Sequence, residues 1–158
     1  MENKPYKKII RIAGAVLAVA AVAVLGSLFT DTRSEWYQAL VKPAFQPSGM
    51  VFPIVWIVLY VLIALSLMRL LAPDGSDKKG TWILYAVNGL LNVLWTFVFF
   101  QMQFSALAFV VLLALAVETV ILLRAVWQKD ALAGWLLVPY LIWLAFATIL
   151  NYVIIMMN

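Results

Sequence analysis

The chain contains no cysteine and no histidine. Disulfides are therefore excluded, as are a c-type haem link, a His-ligated haem and a zinc site built on those ligands. Catalysis through a His base or a Cys nucleophile is excluded with them. Charge is scarce as well: only 11% of the 158 residues are Asp, Glu, Lys or Arg. No internal repeat or low-complexity segment breaks the chain, and no cofactor is expected. What fills the space is apolar, with 66% hydrophobic residues and a mean hydropathy of +1.04. A soluble fold has no use for so much apolar surface, so lipid must be the solvent for most of the chain.

Five stretches, about 9–29, 52–72, 81–101, 104–127 and 132–157, approach the ~20 residues that cross a hydrocarbon layer of about 30 Å. They are predicted to be helices, because unpaired backbone groups are too costly in lipid and no alternating barrel pattern is present. The fold expected is an all-α integral membrane protein, one domain over 1–158 built as a five-helix bundle. The N-terminus has a basic start and an Ala21-Val22-Ala23 stretch resembling a signal-peptide cleavage site. Its apolar run continues to Phe29, so it is read as a span.

The net charge of +4 is explained by topology and calls for no nucleic-acid partner. Lys4, Lys7, Lys8 and Arg11 precede the first span, Arg69, Lys78 and Lys79 lie between the second and third, and Arg124 and Lys129 between the fourth and fifth. Only Arg33 and Lys42 fall on the other side. The positive-inside rule then predicts a multi-pass protein of a bacterial cell membrane, N-terminus cytoplasmic and C-terminus outside.

Three connections are short: the turn-rich Pro73–Gly80, a hairpin at Gln101–Gln103, and Gln128–Ala131. Short connections make neighbouring helices antiparallel. The exception is 30–51 on the outer side, which carries Trp36-Tyr37-x-x-Leu40-x-Lys42-Pro43-x-Phe45-x-Pro47. Unstructured segments of this length are usually functional or disordered, and its aromatics want burial. A lid over the bundle is therefore preferred to a headgroup-anchored aromatic belt.

Polar and aromatic residues recur at helical spacing inside the spans. On the third span Tyr85, Asn88, Asn92, Trp95 and Phe99 share a face. Two amides one turn apart cannot face lipid cheaply, so they either fasten the bundle or line a cavity. The second span offers Trp56, Tyr60 and Ala64, and the fifth Tyr140, Trp143, Ala147, Leu150 and Asn151, with Pro139 expected to bend it. Together these faces could wall a cavity of mixed polarity suited to a large flat amphipathic molecule, its rings against indole and its polar edge against amide. An aromatic core without a ligand is the plainer alternative. Glu118 is the only acidic residue deep in a span and is a functional candidate on that ground. Gly89 has no small partner four residues away, so no GxxxG dimer face is present.

Four blocks resemble the tryptophan-rich sensory protein (TspO/MBR) family, the bacterial relatives of the mitochondrial translocator protein or peripheral-type benzodiazepine receptor. They are Trp36-Tyr37-x-x-Leu40-x-Lys42-Pro43 with Pro47, Phe52-Pro53-x-x-Trp56-x-x-x-Tyr60, Asn88-x-x-x-Asn92-x-x-Trp95-x-x-x-Phe99-Phe100, and Pro139-Tyr140-x-x-Trp143 through Asn151-Tyr152. The resemblance implies a five-helix bundle, often a homodimer, with a ligand pocket beneath the first long loop. It implies binding of porphyrins and benzodiazepine-type compounds, with Trp36, Trp56, Tyr60, Asn88, Asn92, Trp95, Trp143, Ala147 and Leu150 at the pocket. The leading expectation is thus a receptor or carrier for porphyrin-type tetrapyrroles, linked to stress. Light-dependent porphyrin degradation, with Trp56 and Trp143 as electron donors, is the enzymatic alternative, and passive transport of amphipathic molecules a third. Two departures stand out: Pro47-Ser48 replaces the usual paired prolines, and no basic residue follows Tyr152, which argues against the family's cholesterol motif.

Overall fold

The fold is taken from a computed structural model that describes residues 5–70 and 79–158. The turn-rich connection expected at Pro73–Gly80 lies mostly outside the described residues, as does Lys78. Five long helices account for the five apolar stretches: α1 (Pro5–Phe29), α3 (Val51–Leu70), α4 (Lys79–Thr96), α5 (Ser105–Trp127) and α6 (Ala131–Met157). Each is long and apolar enough to cross a membrane, α4 together with the turn that continues it. A short helix, α2 (Glu35–Ala39), sits in the long connection between the first two spans. There is no strand among the described residues.

The helices close into a ring. α1 packs on α3 and α4, α3 on α6, α6 on α5, and α5 on α4. The α1–α4 pair is parallel, joined by direct packing and not by a loop. Gly89 is why it can close: a Cβ there would lie 2.7 Å from Cγ2 of Val22 on α1. Membrane helices approach through such small residues because lipid gives no hydrophobic push between them. Even so, α1 is the most lipid-exposed span, with Ala15 and Gly26 its only buried positions among the described residues.

Two apolar clusters fill the bundle. The larger joins Leu59, Ile63 and Leu67 of α3 to Leu112, Leu115 and Leu122 of α5 and Leu137 and Leu144 of α6. The smaller, at the other end, gathers Val98, Phe99, Phe100, Ala108, Leu150 and Ile154. The rings of the 30–50 segment rest on this second cluster. Trp36 meets Phe99 edge-on at 5.4 Å, and Tyr37 lies 5.4 Å from Phe100. The same segment is tied to the chain's end, where Val41 N–H donates to Asn158 Oδ1 at 2.9 Å and Asn158 Nδ2 donates back at 3.1 Å.

Helix ends explain several polar residues. Asp130 caps α6, its carboxylate accepting from Ala133 N–H at 3.0 Å while pairing with Arg69 at 3.0 Å. At the opposite end Gln101 Nε2 donates to the carbonyl of Phe29, satisfying the C-terminus of α1. α6 runs on through Pro139 as a continuous helix. The span expected at 81–101 does reach Gln101, but its last turn, Phe97–Gln101, widens to a π-helix. The wider turn keeps Val98, Phe99 and Phe100 all buried, and Gln103, with φ of 55°, then reverses the chain.

Candidate functional site

Asn88 and Asn92, one turn apart on α4, are almost fully buried at 5% and 3% exposure. Neither faces lipid. They form the middle of a hydrogen-bonded chain that crosses the bundle through four helices. Tyr60 Oη on α3 donates to Asn92 Oδ1 at 3.1 Å, and Asn92 Nδ2 donates to Tyr140 Oη on α6 at 3.3 Å. Tyr140 then donates to Asn88 Oδ1 at 3.0 Å. Asn88 Nδ2 finally donates to Glu118 Oε2 at 2.6 Å and Thr119 Oγ1 at 2.8 Å, both on α5. A single interhelical bond in a membrane is worth only about 0.6 kcal/mol. An unpaired amide in hydrocarbon costs roughly 4–8 kcal/mol, so sequestering these groups is what decides their arrangement.

Aromatic rings flank the chain. Trp56 stacks on Tyr60 at 5.4 Å and meets Tyr140 edge-on at 6.3 Å. Beside them, between α1, α3 and α4, lies a cavity of about 970 Å³. Tyr60, Tyr85, Asn88, Asn92 and Tyr140 supply the polar part of its lining. Ala15, Ala18 and Val22 of α1 form part of the apolar wall, and its rim carries the exposed Trp82, Leu90 and Leu94. Tyr85 is held in turn by Ser66, whose hydroxyl lies 2.6 Å away.

The residues expected at the site fall into three groups. Tyr60, Asn88 and Asn92 line the large cavity. Trp143 borders a separate groove of about 480 Å³ between α3 and α6, with Ile54, Val55 and Pro139, and its ring meets Phe52 at 5.8 Å and Phe146 at 5.3 Å. Trp56 backs the polar chain, and Ala147 packs beside the larger cluster. Trp36 and Leu150 belong to the cluster under the 30–50 segment, while Trp95 touches both clusters and stacks on Phe99 at 6.0 Å. Asn151 serves as a tie, donating to the carbonyl of Ser105 at 3.2 Å. Glu118 Oε1 and Trp95 Nε1 are buried without a hydrogen-bond partner.

In the 30–50 segment, Tyr37 is held above its ordinary pKa by burial, against the hydrogen bond from Gln46. The Lys42 ammonium sits 4.3 Å from the Tyr37 ring centre, a cation–π contact. Sequence reading left out the α1 wall and Thr119. The first gives no signal beyond small residues in an apolar run. The second shows its role only once its hydroxyl is seen bonded.

The TspO/MBR family profile matches residues 15–157. The chain is 38% identical over 141 residues to the tryptophan-rich sensory protein of Cereibacter sphaeroides, covering 89% of this chain and 87% of the relative. It is 32% identical over 155 residues to the tryptophan-rich protein TspO of Chlorobaculum tepidum, covering 96% and 98%. The human translocator protein is 32% identical over 143 residues, covering 88% of this chain and 85% of the relative. A five-span bundle with aromatic and amide faces turned inward, matched along nearly its whole length by these proteins, belongs to the TspO/MBR family of membrane proteins.

Proposed function

We propose that this protein is a membrane receptor or carrier for porphyrin-type tetrapyrroles and other flat amphipathic ligands. The observation that carries the reading is the cavity of about 970 Å³, apolar over most of its wall and edged by Tyr60, Asn88, Asn92 and Tyr140. Its volume is at the upper end of small-molecule sites, and a few polar groups on an apolar wall are what orient a ligand there. The names of its relatives, a sensory protein and a translocator protein, fit recognition of a small molecule. In this reading the rings of Tyr60, Tyr85 and Trp82 offer stacking surface at the site, Trp56 backs Tyr60 from behind, and the 30–50 segment covers the neighbouring apolar cluster at the end of the bundle. The basic end of the bundle, with Arg69, Arg124 and Lys129, faces the cytoplasm.

Protoporphyrin titrated into the purified protein in detergent is expected to quench tryptophan fluorescence saturably. The double variant Tyr60→Ala/Asn92→Ala, both residues on the cavity wall, should weaken that binding at least about tenfold, the equivalent of 1.4 kcal/mol. Quenching that never saturates, or that ignores both substitutions, would remove the site.

A further inference from the structure

The buried hydrogen bonds have a direction, and it can be worked out from one hydroxyl. Thr119 Oγ1 donates its only proton to the carbonyl of Leu115 at 2.7 Å, so toward Asn88 it can only accept. Asn88 must therefore turn its amide nitrogen toward Thr119 and Glu118, leaving Oδ1 for Tyr140. Tyr140 spends its proton there and accepts from Asn92. Asn92 Oδ1 then takes the proton of Tyr60. The order holds whether or not Glu118 is ionised, because the threonine sets it.

A second anchor acts on Tyr85. Ser66 Oγ donates to the carbonyl of Ala133 at 2.7 Å, so the 2.6 Å contact between Ser66 and Tyr85 must be donated by Tyr85. Tyr60 and Tyr85 line the same cavity from different helices, and each has its phenolic proton drawn away into the protein. What each phenol retains for the cavity is oxygen lone pairs.

We propose that the Tyr60 and Tyr85 phenols form an acceptor edge on this wall that selects ligands by their hydrogen-bond donors, favouring a flat apolar body with an N–H or O–H at its edge over one whose edge offers only a carbonyl or ether oxygen. Asn88 spends both amide hydrogens on Glu118 and Thr119, so the second amide hydrogen of Asn92 is the donor that stands beside this edge. The inference rests on the cavity being the ligand site proposed above, and it narrows the ligand class. An acceptor group placed against Tyr60 would meet lone pair with lone pair, and reversing the chain to free a proton would break the bonds at Thr119 and Ser66.

The test uses two flat tricyclic probes of nearly the same shape, carbazole with its N–H and dibenzofuran with an ether oxygen in its place. Each competes with protoporphyrin on the full-length protein in detergent, followed by the porphyrin's own visible fluorescence anisotropy and corrected with empty micelles. Carbazole should displace porphyrin at a concentration about three- to tenfold below dibenzofuran, as one net hydrogen bond requires. Tyr60→Phe combined with Tyr85→Phe should bring the ratio to about one. Equal displacement by the two probes on the unaltered protein, or displacement by neither, overturns the acceptor wall while saturable porphyrin binding leaves the receptor reading standing. Should protoporphyrin not bind, the probes are titrated directly by calorimetry. A carbazole preference there supports the wall and removes only the tetrapyrrole; binding of neither, or of both alike, overturns the wall. The comparison on the unaltered protein decides the matter even if the double variant fails to fold.

Discussion

Asp130 shows how much one half-buried carboxylate can carry in a protein that has few. Its oxygens take the Ala133 N–H at the start of α6 and the Arg69 guanidinium at the end of α3. The Ala133 amide is the largest influence holding its carboxyl below the usual range; burial pushes the other way, and Arg69 adds to the lowering by hydrogen bond and by charge. A depressed carboxyl adds stability above its unfolded pKa, about 3.9, and loses it as pH falls through the lower folded value. Asp130→Ala should therefore lower thermal stability at pH 7 by about 1 kcal/mol, mostly the lost cap. The gap between variant and parent should persist down to about pH 4 and close only below it. Melting curves in detergent across pH 3–7 check this, and a gap already closed by pH 5.5 would contradict it. Neither its capping of α6 nor its pairing with Arg69, 61 residues earlier, was read from the sequence; both show only in the structure.

At the scale of helices, the least secured element is α1, and its attachment turns on a single missing side chain. Gly89 lets α4 meet Val22, so Gly89→Ala must push Val22 aside, at a cost of about 1–3 kcal/mol for an overpacked contact. Restoring the space with Val22→Ala should recover most of that loss, a coupling that thermal melts of the single and double variants would measure. Additive losses would mean the two residues do not share the contact. Gly89 lacks a GxxxG partner, and that absence spoke against one kind of dimer face. The structure gives the same glycine a role within the chain. The π-helical turn at Phe97–Gln101 is another feature that spacing does not announce. A run of Phe-Val-Phe-Phe reads as an ordinary apolar helix end, and only the need to bury three of its side chains at once against Leu150 and Ile154 widens the turn.

Across the whole molecule, Arg69, Arg124 and Lys129 gather at one end and the 30–50 segment, with Arg33, Lys42 and Asn158, at the other. The absence of native cysteine makes this simple to test. In intact cells, Ser48→Cys should react with a membrane-impermeant maleimide, and Gln128→Cys only after lysis; both positions are exposed. The reverse pattern would invert the proposed orientation. The ring order α1–α3–α6–α5–α4 also gathers the polar residues of four spans into one chain while leaving Trp143 on the α3–α6 groove. The sequence placed Trp143 and Asn92 on inward faces of their helices, and the ring order sends those faces to different spaces.

Length and apolarity alone determined the five helices, since a backbone in lipid must satisfy its own hydrogen bonds and has almost no other way to do so. Helical periodicity likewise determined that Tyr85, Asn88 and Asn92 share a face and avoid lipid. Only the tertiary structure decided which groups they meet, that α1 supplies a wall of the cavity, and which way the protons of Tyr60 and Tyr85 point. Those outcomes depend on a threonine and a serine whose single protons are committed to distant or local carbonyls. A hydroxyl's partner is fixed by packing between helices, and no spacing along one helix records it.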